Sequence, residues 1–197
     1  MNTAFITALL GAALLTAGAV DAQAQTRVRG TVSAASGNLI AVKTADGKNV
    51  DIVVGEKTTY IFAQPVAMSE IKPGDFLGVT SVKRTDGTLT AYDLRRFPKP
   101  TNPGHRPFDG GDNQTMTNAT VSATVDAANG RELALSYEGG SQKVIVADTA
   151  AITSLMPGQR SQVVSGSYVN VLTEPGADGK LTARTVEVRK EAPKAPQ

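Results

Sequence analysis

The chain contains no cysteine, no tryptophan and a single histidine, and only 5% of its 197 residues are aromatic. Without cysteine there is neither a disulfide framework nor an N-terminal cysteine for a lipid, so the fold must be held by core packing alone. One histidine and no cysteine cannot supply the repeated short spacings of zinc or copper sites. A Ser-His-Asp mechanism would depend on that one histidine, His105, which sits in a Pro/Gly-rich segment with no nucleophile elbow nearby. An excess of one charge is missing too. Twenty Lys and Arg face 18 Asp and Glu, for a formal net charge of +2, short of the basic footprint of a nucleic-acid binder. No long apolar run occurs after the first twenty or so residues, so the sequence predicts a soluble mature chain with no membrane span.

The N-terminus is apolar. From Thr3 to Val20 the text is rich in Ala and Leu, and it ends in Asp21-Ala22-Gln23-Ala24. Small residues at Ala22 and Ala24 suit a signal peptidase pocket, which predicts a signal peptide over 1–24, cleavage after Ala24, and a periplasmic or secreted product. The usual positive charge ahead of the apolar core is absent. An uncleaved anchor is the alternative, against which stand the shortness of the run and its interruption by Thr7 and Thr16. Loss of the leader removes one acid, Asp21, and leaves the mature chain slightly more basic.

Beyond the leader the sequence repeats itself. Asp86-Gly87-Thr88-Leu89-Thr90-Ala91 returns as Asp178-Gly179-Lys180-Leu181-Thr182-Ala183, 92 positions on. In the first copy Val28-Arg29-Gly30-Thr31-Val32, Leu39 to Lys43, Val50 to Val54, Phe76 to Val79 and Leu89 to Leu94 alternate with the period of half-buried strands. Asp46-Gly47 and Asp86-Gly87 are hairpin turns, and Ala67 to Asp75 holds one helical turn ahead of Pro73-Gly74. The second copy has the same plan through Val121 to Val125, Leu133, Leu135, Val144, Val146, Gly166 to Val171 and Leu181 to Val188. The expectation is therefore all-β: two tandem OB-like barrels, five-stranded and partly open, over 26–97 and 117–189. An SH3-like barrel or a small sandwich also fits the strand count. Domains this small have marginal cores, so the copies should lean on one another or form a homodimer.

Between the copies, residues 98–116 carry Pro98, Pro100, Pro103 and Pro107 among Gly104, Gly110 and Gly111, a composition that predicts an irregular linker. It also holds Phe108 and the His105-Arg106 pair. Loops with function look like this, and so do loops that wrap one domain onto another. The tail, 190–197, reads as a disordered end.

The segments Glu70 to Ser81, Gly104-His105-Arg106-Pro107-Phe108-Asp109 and Met116 to Val121 resemble small secreted bacterial proteins built from domain-of-unknown-function repeats with an OB-like barrel. Members often carry the automatic label "metal ABC transporter permease". A permease needs several membrane spans, which this sequence lacks, and the family has no established activity to lend. Phe108 stands where the family pattern has Trp, and Gln159 where it has Asp.

The chemistry-bearing residues are few. Asp46, Asp86 and Asp178 are accounted for as turn residues. The expected function is a non-enzymatic binding or adaptor module of the cell envelope without cofactor, its partner an envelope protein or an anionic polymer rather than nucleic acid. The expected contact surface is the cleft between the copies, with His105 and Arg106 as polar contacts, Phe108 as anchor and Asp109 beside them. The excess of Lys83, Arg84, Arg95, Arg96, Lys99 and Arg106 over nearby acids favours an anionic partner. A periplasmic metal-associated accessory protein, using His105 with Asp109 and Asp112, is the alternative. An enzyme is a third reading that would need a pocket of converging polar groups.

Overall fold

A computed structural model describes residues 25–109, 111–127, 130–176 and 179–195. The predicted leader and the turn residue Asp178 lie outside them. Period-two alternation becomes strand in both copies. The described strands are β1 (Thr26–Ser36), β2 (Leu39–Thr44), β3 (Asn49–Val53), β4 (Thr59–Pro65), β5 (Phe76–Lys83), β6 (Leu89–Phe97), β7 (Gly104–Pro107), β8 (Gln114–Ala127), β9 (Gly130–Tyr137), β10 (Gly140–Pro157), β11 (Tyr168–Pro175) and β12 (Leu181–Arg189). Two single 3-10 turns, Met68–Glu70 and Arg160–Gln162, are the described helical pieces. No helix among the described residues is long and apolar enough to cross a membrane. Gly74 comes after the first of these turns with φ 96°, and Gly47 and Gly87 close their hairpins at 81° and 87°, backbone that Asp-Gly turns are suited to supply.

The strands close on themselves. β1 lies antiparallel to β2 and β2 to β3; β3 runs parallel to β12, β12 pairs with β11, and β11 returns to β1, which completes a five-stranded barrel. Val32, Ile40, Val42, Ile52, Val171 and Val186 fill it. A second ring has the same order through β8, β9, β10, β6 and β5, with β10 parallel to β6, and packs Leu77, Leu94, Val121, Leu133, Leu135 and Val144. Closing the sheet removes its edges, and aliphatic side chains alone fill so small an interior.

This partition differs from the expected one. Repeats confined to 26–97 and 117–189 would each pair their own first and fourth strands. Instead β1 to β3 of the first copy close with β11 and β12 of the second, and β8 to β10 of the second close with β5 and β6 of the first. The cause lies in β4 and the end of β10, which remain extended where a turn would have returned the chain to its own ring. A seven-residue strand reaches about 23 Å, enough to carry the chain across. The two crossing segments pair antiparallel with each other, and Ala63 stands opposite Leu155, its own counterpart 92 positions on. A pseudo-two-fold axis therefore passes through that pair. On either side β4 lies parallel to β12, and β10 parallel to β6, in matching register.

The segment between the copies also departs from expectation. β7 forms inside it, paired on one side with β8, and β8 itself begins at Gln114. Proline at the last position of an edge strand costs no ladder hydrogen bond, which is why this Pro/Gly-rich text still makes a strand. In the tail, Lys190 to Ala195 form no strand, but they lie against the junction of the rings.

Candidate functional site

The exchange of hairpins brings β6 and β12 to either side of the two crossing strands. Both carry a bulge at the same place, Tyr92 in β6 and Arg184 in β12, where the register with the partner strand slips by one. A bulge reverses which residues face inward. Before it Leu89, Ala91 and Ala183 point into the rings; after it Leu94, Val186 and Val188 do, and Asp93, Arg95, Glu187 and Arg189 turn outward into the space between the rings.

There the four form a closed circuit of charge. Arg189 donates from Nη1 to Asp93 Oδ1 at 2.8 Å and from Nη2 to Glu187 Oε1 at 2.8 Å. Arg95 donates from Nη1 to Glu187 Oε2 at 3.3 Å, and its Nε stands 3.6 Å from Asp93 Oδ2. All four side chains are at most 13% exposed. Burial pushes the Glu187 carboxyl up, but Arg95 and Arg189, with hydrogen bonds from Arg189 and Asn170, outweigh it and hold it below the usual carboxylate range. Burial likewise works against the Arg189 cation, and Asp93 and Glu187 more than restore it.

Around this floor is a cavity of about 720 Å³, with walls from β1, β5, β8 and β11 and a rim from the linker and the tail. Five arginines line it, Arg27, Arg29, Arg95, Arg106 and Arg189, against three carboxylates, Asp93, Asp109 and Glu187. The carboxylates are taken: Asp93 and Glu187 in the circuit, Asp109 by Arg29 Nη1 at 2.9 Å. Among the described residues Arg27 has no acidic partner within ion-pair distance, and Arg106 reaches only the Asn102 carbonyl, at 3.3 Å. Burial, then the neighbouring Arg29 and Arg95, lowers the pKa of Arg27, as expected where positive charge is crowded. Tyr92 is pushed up to about 12 by burial, by Asp93 and by Tyr168, and its hydroxyl donates to Gln114 Oε1 at 2.6 Å.

Of the residues singled out in the sequence, Arg106, Phe108 and Asp109 line this cleft. Phe108 takes the Arg29 guanidinium over its ring at 5.0 Å, so the linker is clipped to β1 by a cation–π contact and an ion pair together. His105 does not join them. Neighbouring residues of a strand face opposite ways, and while Arg106 turns to the cleft, His105 Nδ1 lies 2.8 Å from the buried Thr117 Oγ1. Burial and Lys83 lower its pKa. His105, Asp109 and Asp112 do not converge, and no group of three possible metal ligands occurs among the described residues. Asn118 donates its amide to the Thr101 and Asn102 carbonyls and holds the linker in place.

The charged circuit itself was missed from sequence. Its signal is Asp93-Leu94-Arg95 and Glu187-Val188-Arg189, opposite charges two apart with a core residue between them on strands otherwise apolar inside. Comparison with protein-family models, curated proteins and solved structures finds no match to this chain.

Proposed function

We propose that the chain is an exported, non-enzymatic binding or adaptor module of the bacterial cell envelope, two OB-like barrels that hold an anionic ligand in the cleft at their junction. The observation that carries this reading is the charge balance of the cleft. Once Asp93, Asp109 and Glu187 are matched, Arg27 and Arg106, both exposed, still leave net positive charge at the mouth of the cleft, which attracts an anion by salt-sensitive electrostatics. Export rests on the leader, and the envelope assignment on the leader together with the resemblance of Gly104 to Asp109 and Met116 to Val121 to secreted repeat proteins.

A thermal-shift titration tests the cleft. Tripolyphosphate and citrate should raise the Tm of the wild-type chain above sodium chloride at equal ionic strength, because a ligand bound to the native state stabilises it. The double variant Arg27→Gln, Arg106→Gln should lose that rise while keeping its unliganded Tm, since neither side chain supports the core. Equal shifts in wild type and variant would dismiss the cleft as the site.

A further inference from the structure

We propose that the contact between the linker and β1 is autoinhibitory: Asp109 occupies Arg29 as a built-in carboxylate, and an anion entering the cleft displaces it. The inference rests on the binding reading above and adds the regulation of that site. Arg29 lies two residues from Arg27 on β1, and residues two apart on a strand share a face at a spacing of about 7 Å. Both line the cleft, so a free Arg29 would add a third guanidinium to those of Arg27 and Arg106. Its side chain is 30% exposed and within reach of a ligand, but Nη1 donates to Asp109 Oδ1 at 2.9 Å and the guanidinium lies 5.0 Å from the centre of the Phe108 ring. The mouth of the cleft thus already holds one anion, supplied by the chain itself.

This clip is weak enough to be exchanged. Asp109 is 64% exposed, and its hold on Arg29 is single-pronged, through one nitrogen and one oxygen, where a two-pronged fork would be stronger. An exposed ion pair and an exposed cation–π contact each shift an equilibrium by roughly two- to fivefold. The linker stays anchored without them, by the pairing of β7 with β8, by Phe108 N donating to the Gln114 carbonyl at 2.9 Å and by the Asn118 amide. The clip can therefore open while the linker keeps its place. A ligand with several acidic groups reaches Arg27, Arg29 and Arg106 together, and so replaces the one contact that Asp109 gives up.

Isothermal titration of the full-length chain with citrate and with tripolyphosphate, at one ionic strength, tests the exchange. A ligand that binds only the open form loses apparent affinity in proportion to the fraction closed, so Asp109→Asn should tighten both probes by about three- to tenfold. Asp112→Asn makes the same change of charge at an exposed acid that does not line the cleft, and should tighten them by less than about twofold. Phe108→Ala alters no charge and should tighten them by about two- to fivefold, whereas a Phe108 that anchors the ligand would make it weaken them. Response to the probes in the variants but not in the wild type would support the proposal outright. Asp109→Asn no tighter than Asp112→Asn, or Phe108→Ala with binding unchanged or weakened, would overturn autoinhibition and leave the anion cleft standing. No response in the wild type or in any variant would bring down the binding reading itself.

Discussion

Arg189 is the side chain on which the junction depends most. It is 6% exposed, and its two terminal nitrogens reach Asp93 and Glu187 at 2.8 Å each, joining β12 of one ring to β6 of the other. Arg189→Met keeps the bulk of the stem and removes the charge, leaving two carboxylates in a buried space with only Arg95 between them. Removing one partner of a buried pair costs about 3–5 kcal/mol, because the remaining charge is left uncompensated. For a chain of this size each kcal/mol lowers Tm by about 2–4 °C, so a fall of about 6–20 °C is expected by circular dichroism. The pH dependence should also change character. In the wild type the folded pKa of Glu187 is depressed, so its contribution is present above the ordinary carboxylate value of 4.5 and is lost as pH falls through the folded one. In Arg189→Met burial prevails and raises that pKa, so protonation relieves the strain. The gap in Tm between wild type and variant should therefore narrow on going from about pH 7 to about pH 5. A fall of less than about 3 °C, or a gap that widens in acid, would refute the idea that this circuit holds the rings together.

Other positions have expected outcomes of their own. Gly30→Ala would drive a Cβ into the Lys43 carbonyl group and the Val42 side chain, where β1 pairs with β2, and should destabilise by about 1–3 kcal/mol or more in urea titration. His105→Ala orphans the buried Thr117 hydroxyl and should cost about 1–3 kcal/mol without changing anion binding, and in the wild type the His105 ring should titrate by NMR below 6.5. Asp109→Asn breaks an ion pair whose carboxylate is 64% exposed, worth about 0–1 kcal/mol; Tm should hold, while amide exchange in residues 101–109 should quicken. Cell fractionation should find the chain in the periplasm with an N-terminus that reads from Gln25, and recovery from the cytoplasm with Met1 intact would remove the export proposal.

Much of the fold was legible because local rules sufficed for it. Alternation marks the strands around Val28, Ile40, Ile52, Leu133 and Val144, and Asp-Gly pairs mark the hairpins between them. The crossing strands were not legible. In β4 only Ala63 is fully buried, while Tyr60, Ile61 and Phe62 are each half-covered from different sides, so no period-two pattern survives. The exchange of hairpins was invisible for a deeper reason. The copies are so alike that pairing within a copy and pairing between copies satisfy the same side-chain pattern, and only the extended path of β4 and β10 decides between them. The site divides the same way. A cleft rimmed by Arg106, Phe108 and Asp109 could be anticipated from the oddity of the linker. The charges beneath it depend on two bulges and on a partner strand some ninety residues away, which no local window contains.

The junction, its buried charges and the cleft all exist because β1 closes against β11 rather than against β5. Cross-strand nuclear Overhauser effects in a uniformly labelled sample test that exchange directly. Arg29 should show contacts with Asn170, its partner in the β1–β11 register. Contacts of Arg29 with Gly78, the equivalent position of the first copy, would mean that each repeat closes on itself, and would contradict the exchange.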